Sequence, residues 1–101
     1  MQLIEFTPSA IEAIIAYKKT LNIPEGFALR VGIKQKNAQD KSLLIGFDTK
    51  TEKDKAIKIN GIDIIFNADQ IFFFAGMLID FIEQNGRKGF KLVEKAKLQS
   101  N

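Results

Sequence analysis

The sequence has no cysteine, no histidine and no tryptophan. The first two absences exclude much chemistry. There is no thiol nucleophile, no imidazole base and no Ser-His-Asp triad. Zinc and iron–sulphur centres lose their usual thiolate and imidazole ligands. No disulphide can form, so redox conditions do not constrain the compartment. Long apolar runs are also lacking. The longest, IFFFAGMLI at 71–79, has nine residues, whereas a bilayer-spanning helix needs ~20. The start, MQLIEFTPSA, has neither the basic region nor the apolar stretch of a signal peptide. We expect a cytoplasmic protein with no membrane partner.

Charge of one sign is scarce as well: 15 basic against 12 acidic residues give a net charge of +3. Lys50, Lys53, Lys55 and Lys58 alternate with Glu52 and Asp54, which reads as a solvated turn. Arg87 to Lys97 holds five basic residues against Glu94, which reads as a solvated strand face. Neither is the one-sided basic surface of a nucleic-acid binder, so none is expected as a partner. The carboxylates are scattered, without a calcium-loop or paired-acid spacing, and no phosphate-cradling glycine motif occurs. No catalytic residue can be named. We expect no enzyme, no metal and no cofactor.

What is present is a patterned chain of 101 residues, enough for one domain that buries roughly two-thirds of its unfolded surface. Thr7 can cap a helix that opens on Pro8, with Ile11, Ile14, Ile15 and Lys18 along one stripe. Asn22, Pro24 and Gly26 end it. The period then becomes two. In FALRVGIK, Phe27, Leu29, Val31 and Ile33 alternate with Ala28, Arg30, Gly32 and Lys34, predicting a strand with one buried face. KQKNAQDKS follows as a polar connection, the kind of segment in which small domains hold a site. SLLIGFD reads as a second strand, in which Gly46 marks a bulge or a close backbone approach. AIKI and IDIIF form two more strands around an Asn60-Gly61 hairpin turn.

ADQIFFFAGMLIDFIEQNG permits one long helix or a short helix over 68–75 followed by a hairpin. Asn85-Gly86 favours the hairpin, with Ile79 and Phe81 on one face and Phe90 and Leu92 facing them. Asp80, between Ile79 and Phe81, reads as an outward-pointing strand residue. Phe72, Phe73 and Phe74 cannot all face one core, so core packing and a partner interface both remain open for them. The fold class is α+β, β-rich, with two short helices and about six short strands in a sandwich or pseudo-barrel.

In order, FTPSAIEAI, GFALRVGIK, LLIGF, GIDIIFNADQIFFFAGMLIDFIE and GFKLV resemble the HesB-like domain of A-type iron–sulphur cluster assembly proteins. The resemblance covers about residues 3–93 of one domain spanning 1–101, with a short polar tail at 94–101. It implies a small, mostly dimeric protein related to carriers that hold iron or clusters on a loop cysteine and a later Cys-Gly-Cys. Matched to that pattern, Ala38 takes the loop-cysteine position, and Asn37 and Asp40 stand where glycines usually flank it. The Cys-Gly-Cys is expected at about Asn101, where the sequence stops. Asn37, Ala38, Gln39 and Asp40 therefore make a vacated site, since oxygen donors match a sulphide cluster poorly. The resemblance implies a ligand-less relative acting by protein contact, as a homodimer or with a heteromeric partner, as a modulator of iron–sulphur assembly. Phe72, Phe73, Phe74 and Met77 are its candidate interface. The alternative is a small-molecule or hard-metal binding domain that reuses loop 35–41 and the apolar surface around Phe72–Phe74.

Overall fold

A computed structural model describes residues 4–37 and 40–95. Helix α1 (Pro8–Thr20) starts where Thr7 accepts a hydrogen bond from the Ala10 amide, with proline in the first turn. At its end Asn22 adopts φ 51°, and the Asn22 and Ile23 amides return to the carbonyls of Lys19 and Lys18. This is a left-handed terminating motif with asparagine in place of the usual glycine. Ala10, Ile11 and Ile14 form the buried stripe, whereas Ile15 and Lys18 are exposed. The expected stripe is thus one row narrower, because α1 meets the core along a single edge.

Among the described residues six strands follow: β1 (Ala28–Asn37), β2 (Asp40–Asp48), β3 (Asp54–Ile59), β4 (Ile62–Asn67), β5 (Met77–Gln84) and β6 (Arg87–Glu94). The 3₁₀ helix Ala68–Phe74 lies between β4 and β5. One sheet has the order β2-β1-β4-β3, and β5 and β6 form a second. The α+β, β-rich reading with two helices and six strands holds. The sheets do not close into a barrel: β5 and β6 hydrogen-bond to each other, and β5 meets residues near the start of the chain, where Phe6 bridges Ile79. Both Asn-Gly turns are as expected. Asn60-Gly61 and Asn85-Gly86 have positive φ at both positions, the twist that fits a two-residue hairpin. The core gathers Leu29, Val31 and Ile33 of β1, Ile62, Ile64 and Phe66 of β4, Ile11 and Ile14 of α1, and Ile4, Phe74 and Ile79.

Several expectations are corrected. Phe27 precedes β1 and is 37% exposed, because the chain there is still leaving the turn at Gly26. KQKNAQDKS is not a long loop: pairing runs from Lys34↔Ser42 to Asn37↔Asp40. A hairpin arm projecting from the core has no face to bury, so its strands are polar on both sides. Gly46 carries no bulge, being in register with Arg30, and has open space where a Cβ would stand. The register shift lies between Gln35 and Asn37. The close approach is at Gly32, where a Cβ would meet Gln70 Oε1 at 3.2 Å. Asp80 is half-buried and accepts from the Thr7 hydroxyl (2.7 Å) and the Phe81 amide (2.8 Å), because the chain start pairs with β5. Among the described residues no helix is long and apolar enough to cross a membrane.

Candidate functional site

The tip of the β1–β2 hairpin is where the vacated site was expected. Asn37 and Asp40 face each other there as exposed residues, with the Asp40 amide donating to Asn37 Oδ1 at 2.9 Å. That contact closes the tip locally, as asparagine side chains commonly do in turns. Ala38 and Gln39 lie outside the described residues. No group of three or more carboxylates capable of holding a metal occurs among the described residues.

The expected interface segment divides. Asn67 Oδ1 accepts from the Asp69 amide and opens the 3₁₀ helix. In that geometry residues i and i+3 eclipse, so Ile71 and Phe74 point the same way. Ile71 packs on the core, and Phe74 is 2% exposed, edge-to-face with Phe66 at 6.2 Å. Phe72 and Phe73 turn outward, 84% and 37% exposed, and Met77 is half-buried at the start of β5. Gln70 anchors the helix to the sheet. It accepts from the Ile33 amide (3.1 Å) and donates to the Ile33 carbonyl (2.9 Å), bonding both backbone groups of one β1 residue.

The structure also holds a cluster that sequence reasoning missed. The β2–β3 connection crosses from one edge of the sheet to the other, and Arg30 of β1 ties it down. Its guanidinium donates from Nη1 and Nη2 to the two Asp54 oxygens (2.7 and 2.6 Å), from Nε to Asp48 (2.8 Å) and from Nη2 to the Thr49 carbonyl (3.1 Å). The Thr51 amide and hydroxyl complete Asp54 at 2.8 and 3.1 Å. Asp54 is therefore buried, against the solvated turn expected for it. Arg30 and Thr51 hold its carboxyl well below the usual carboxylate range, against the opposing effect of burial. Asp54, and secondarily Asp48, raise the Arg30 guanidinium above its ordinary value. Asp48 is lowered chiefly by the Thr49 amide and then by Arg30. Every charge here is matched, so the cluster is a fastening rather than a reactive centre. The one sequence signal for it was the Thr-x-x-Asp spacing of Thr51 and Asp54.

With the geometry in place, the comparisons with known proteins decide the family. The model described as iron-sulphur cluster biosynthesis matches residues 2–101. The chain belongs to that family. Within the iron–sulphur cluster biosynthesis family, the iron-binding protein IscA of Xenorhabdus nematophila is 27% identical over 89 residues, 87% of this chain and 81% of the relative. The fold resembles that of Escherichia coli SufA, involved in biosynthesis of iron–sulphur clusters, with a TM-score of 0.64 at 18% identity over 90% of this chain and 84% of that one. It also resembles IscA solved with a [2Fe-2S] cluster, with a TM-score of 0.65 at 18% identity over 90% and 81% of the two chains. The donor set of residues 1–101 does not fit such a cluster. Those residues hold no thiolate and no imidazole, and the tip offers carboxylate and amide oxygens.

Proposed function

We propose that this chain is a non-catalytic member of the family that acts through protein contacts, as a homodimer or on a heteromeric partner, and modulates iron–sulphur assembly in the cytoplasm. Residues 1–101 act as a single domain, and the family match over 2–101 supports this. Asn37, Ala38, Gln39 and Asp40 are the vacated ligand position, and Phe72 and Phe73 are the contact surface. One observation carries the reading: a chain without cysteine or histidine keeps the fold of cluster-assembly proteins while presenting Phe72 at 84% exposure. Leaving a phenylalanine in water forgoes roughly 1.5–3 kcal/mol, which a partner surface recovers. The relatives are named for iron binding and cluster biosynthesis, which supports a place near that process and no catalytic step.

Two measurements test the reading. After anaerobic reconstitution with ferrous iron and sulphide, followed by desalting, the protein should be colourless and hold far less than one iron per chain. About one iron per chain would overturn the loss of the carrier role. In sedimentation, Phe72→Asp should dissociate an assembly that the wild type forms, with its circular dichroism unchanged. If the wild type is monomeric, the variant should lose a partner captured by the wild type from the native cell. Full retention of both associations would sink the contact surface.

A further inference from the structure

A concavity lies where the two sheets fail to close. It is an open cleft of about 410 Å³ between α1, β2 and the β5–β6 hairpin. Its floor reaches the core at Ile14 and Leu29, which are 1% and 3% exposed. One wall is aromatic: Tyr17 of α1 stands 6.1 Å from Phe81 and 6.2 Å from Phe90, which are themselves 4.9 Å apart edge-to-face. Those contacts tie the helix to the hairpin and give the wall its shape before anything binds. At the rim is Leu21, 58% exposed.

The lining chemistry is one-sided. No lining residue is charged, and the polar side chain among them is Tyr17. Its hydroxyl has no hydrogen-bond partner among the described residues, and the residue is 39% exposed. An ion entering this cleft would lose hydration without gaining a countercharge. An apolar ring bearing one polar group would fill the space and meet the hydroxyl. A cleft of this volume falls at the small end of ligand sites, which run from ~300 to ~1,000 Å³. We propose that the α1/β2/β5–β6 cleft binds a small neutral molecule, mostly apolar and ring-containing, whose single polar group is met by Tyr17. The site is separate from the hairpin tip and from Phe72, so it stands or falls independently of the contact function.

The test is equilibrium dialysis of the full chain against naphthalene, 1-naphthol and 1-naphthoate at pH 7. The two neutral probes should bind with Kd below about 1 mM, and the ionised naphthoate at least ten-fold more weakly. Tyr17→Phe should weaken 1-naphthol by roughly 2- to 10-fold, the range of one neutral hydrogen bond, and leave naphthalene unchanged. Leu21→Glu, at an exposed rim position, should weaken both neutral probes while leaving the circular dichroism intact. Absence of binding at 1 mM, naphthoate binding as well as naphthol, or variants with no effect would overturn the proposal. So would probe binding that appears only when a second copy is associated, since the cleft would then be a protein contact.

Discussion

Replacing Arg30 with alanine should be among the most damaging single changes outside the apolar core. Arg30 spends all three nitrogens on the β2–β3 connection, three of its hydrogen bonds going to carboxylate oxygens. Its loss leaves Asp54, whose side chain is 2% exposed, with only the Thr51 amide and hydroxyl. Removing one partner of a buried pair costs ~3–5 kcal/mol. The Arg30 side chain is 29% exposed, so water screens part of the pair and the low end, about 3 kcal/mol, applies. For a domain near 100 residues that is a fall of roughly 12–24 °C in melting temperature. The pH dependence has a definite sign. Asp54 titrates below its unfolded value, so its contribution is present above about pH 4 and fades as pH falls through the lowered folded value. The gap between wild type and Arg30→Ala should therefore be widest near pH 7 and narrow below about pH 4. Urea denaturation followed by circular dichroism reads both quantities. The double variant Arg30→Met/Asp54→Leu should recover much of the loss, because no unpaired charge remains. A cost under about 1 kcal/mol, or a gap that does not change between pH 7 and pH 3, would refute the reasoning.

Gly32→Ala should destabilise by about 1 kcal/mol, because its Cβ meets Gln70 Oε1 at 3.2 Å. In a Gln70→Ala background the same change should be neutral or stabilising, and urea denaturation of the four proteins reads the coupling. Phe74→Ala should cost ~3–5 kcal/mol in thermal melts, whereas Phe72→Ala should fall within about 0.5 kcal/mol for the monomer. Thr7→Ala should lose about 1 kcal/mol by chemical denaturation, since one hydroxyl both caps α1 and donates to Asp80.

The elements whose signals are local were the legible ones. Asn60-Gly61 and Asn85-Gly86 carry their backbone geometry in two residues, and Thr7-Pro8 marks the start of α1 by itself. Less was legible where the partner is distant. Asp54 looks solvated among lysines and is buried only because Arg30, 24 residues earlier, reaches it. Asp80 looks outward until the chain start pairs with β5 and brings Thr7, 73 residues away, to its carboxylate. The directions of Phe72, Phe73 and Phe74 depend on a three-residue rather than a 3.6-residue turn, a difference a seven-residue segment cannot announce. The candidate ligand position was legible only as an absence, of cysteine at Ala38. The apolar cleft was not legible at all, since its lining comes from α1, β1, β2 and the last hairpin.

The Gln70 clamp makes one backbone amide a sensor. The β1–β4 ladder registers only Leu29↔Ile64 and Arg30↔Ile65, so neither strand protects the Ile33 N–H from the β4 side. A side-chain amide from the helix that carries Phe72 does so instead. Exchange of that proton with deuterated solvent then requires the 3₁₀ helix to lift, not the sheet to unravel. Its rate, compared with that of Val31 two residues away, measures the opening free energy of the segment bearing the exposed phenylalanine. A partner seated on Phe72 would slow it without touching β1.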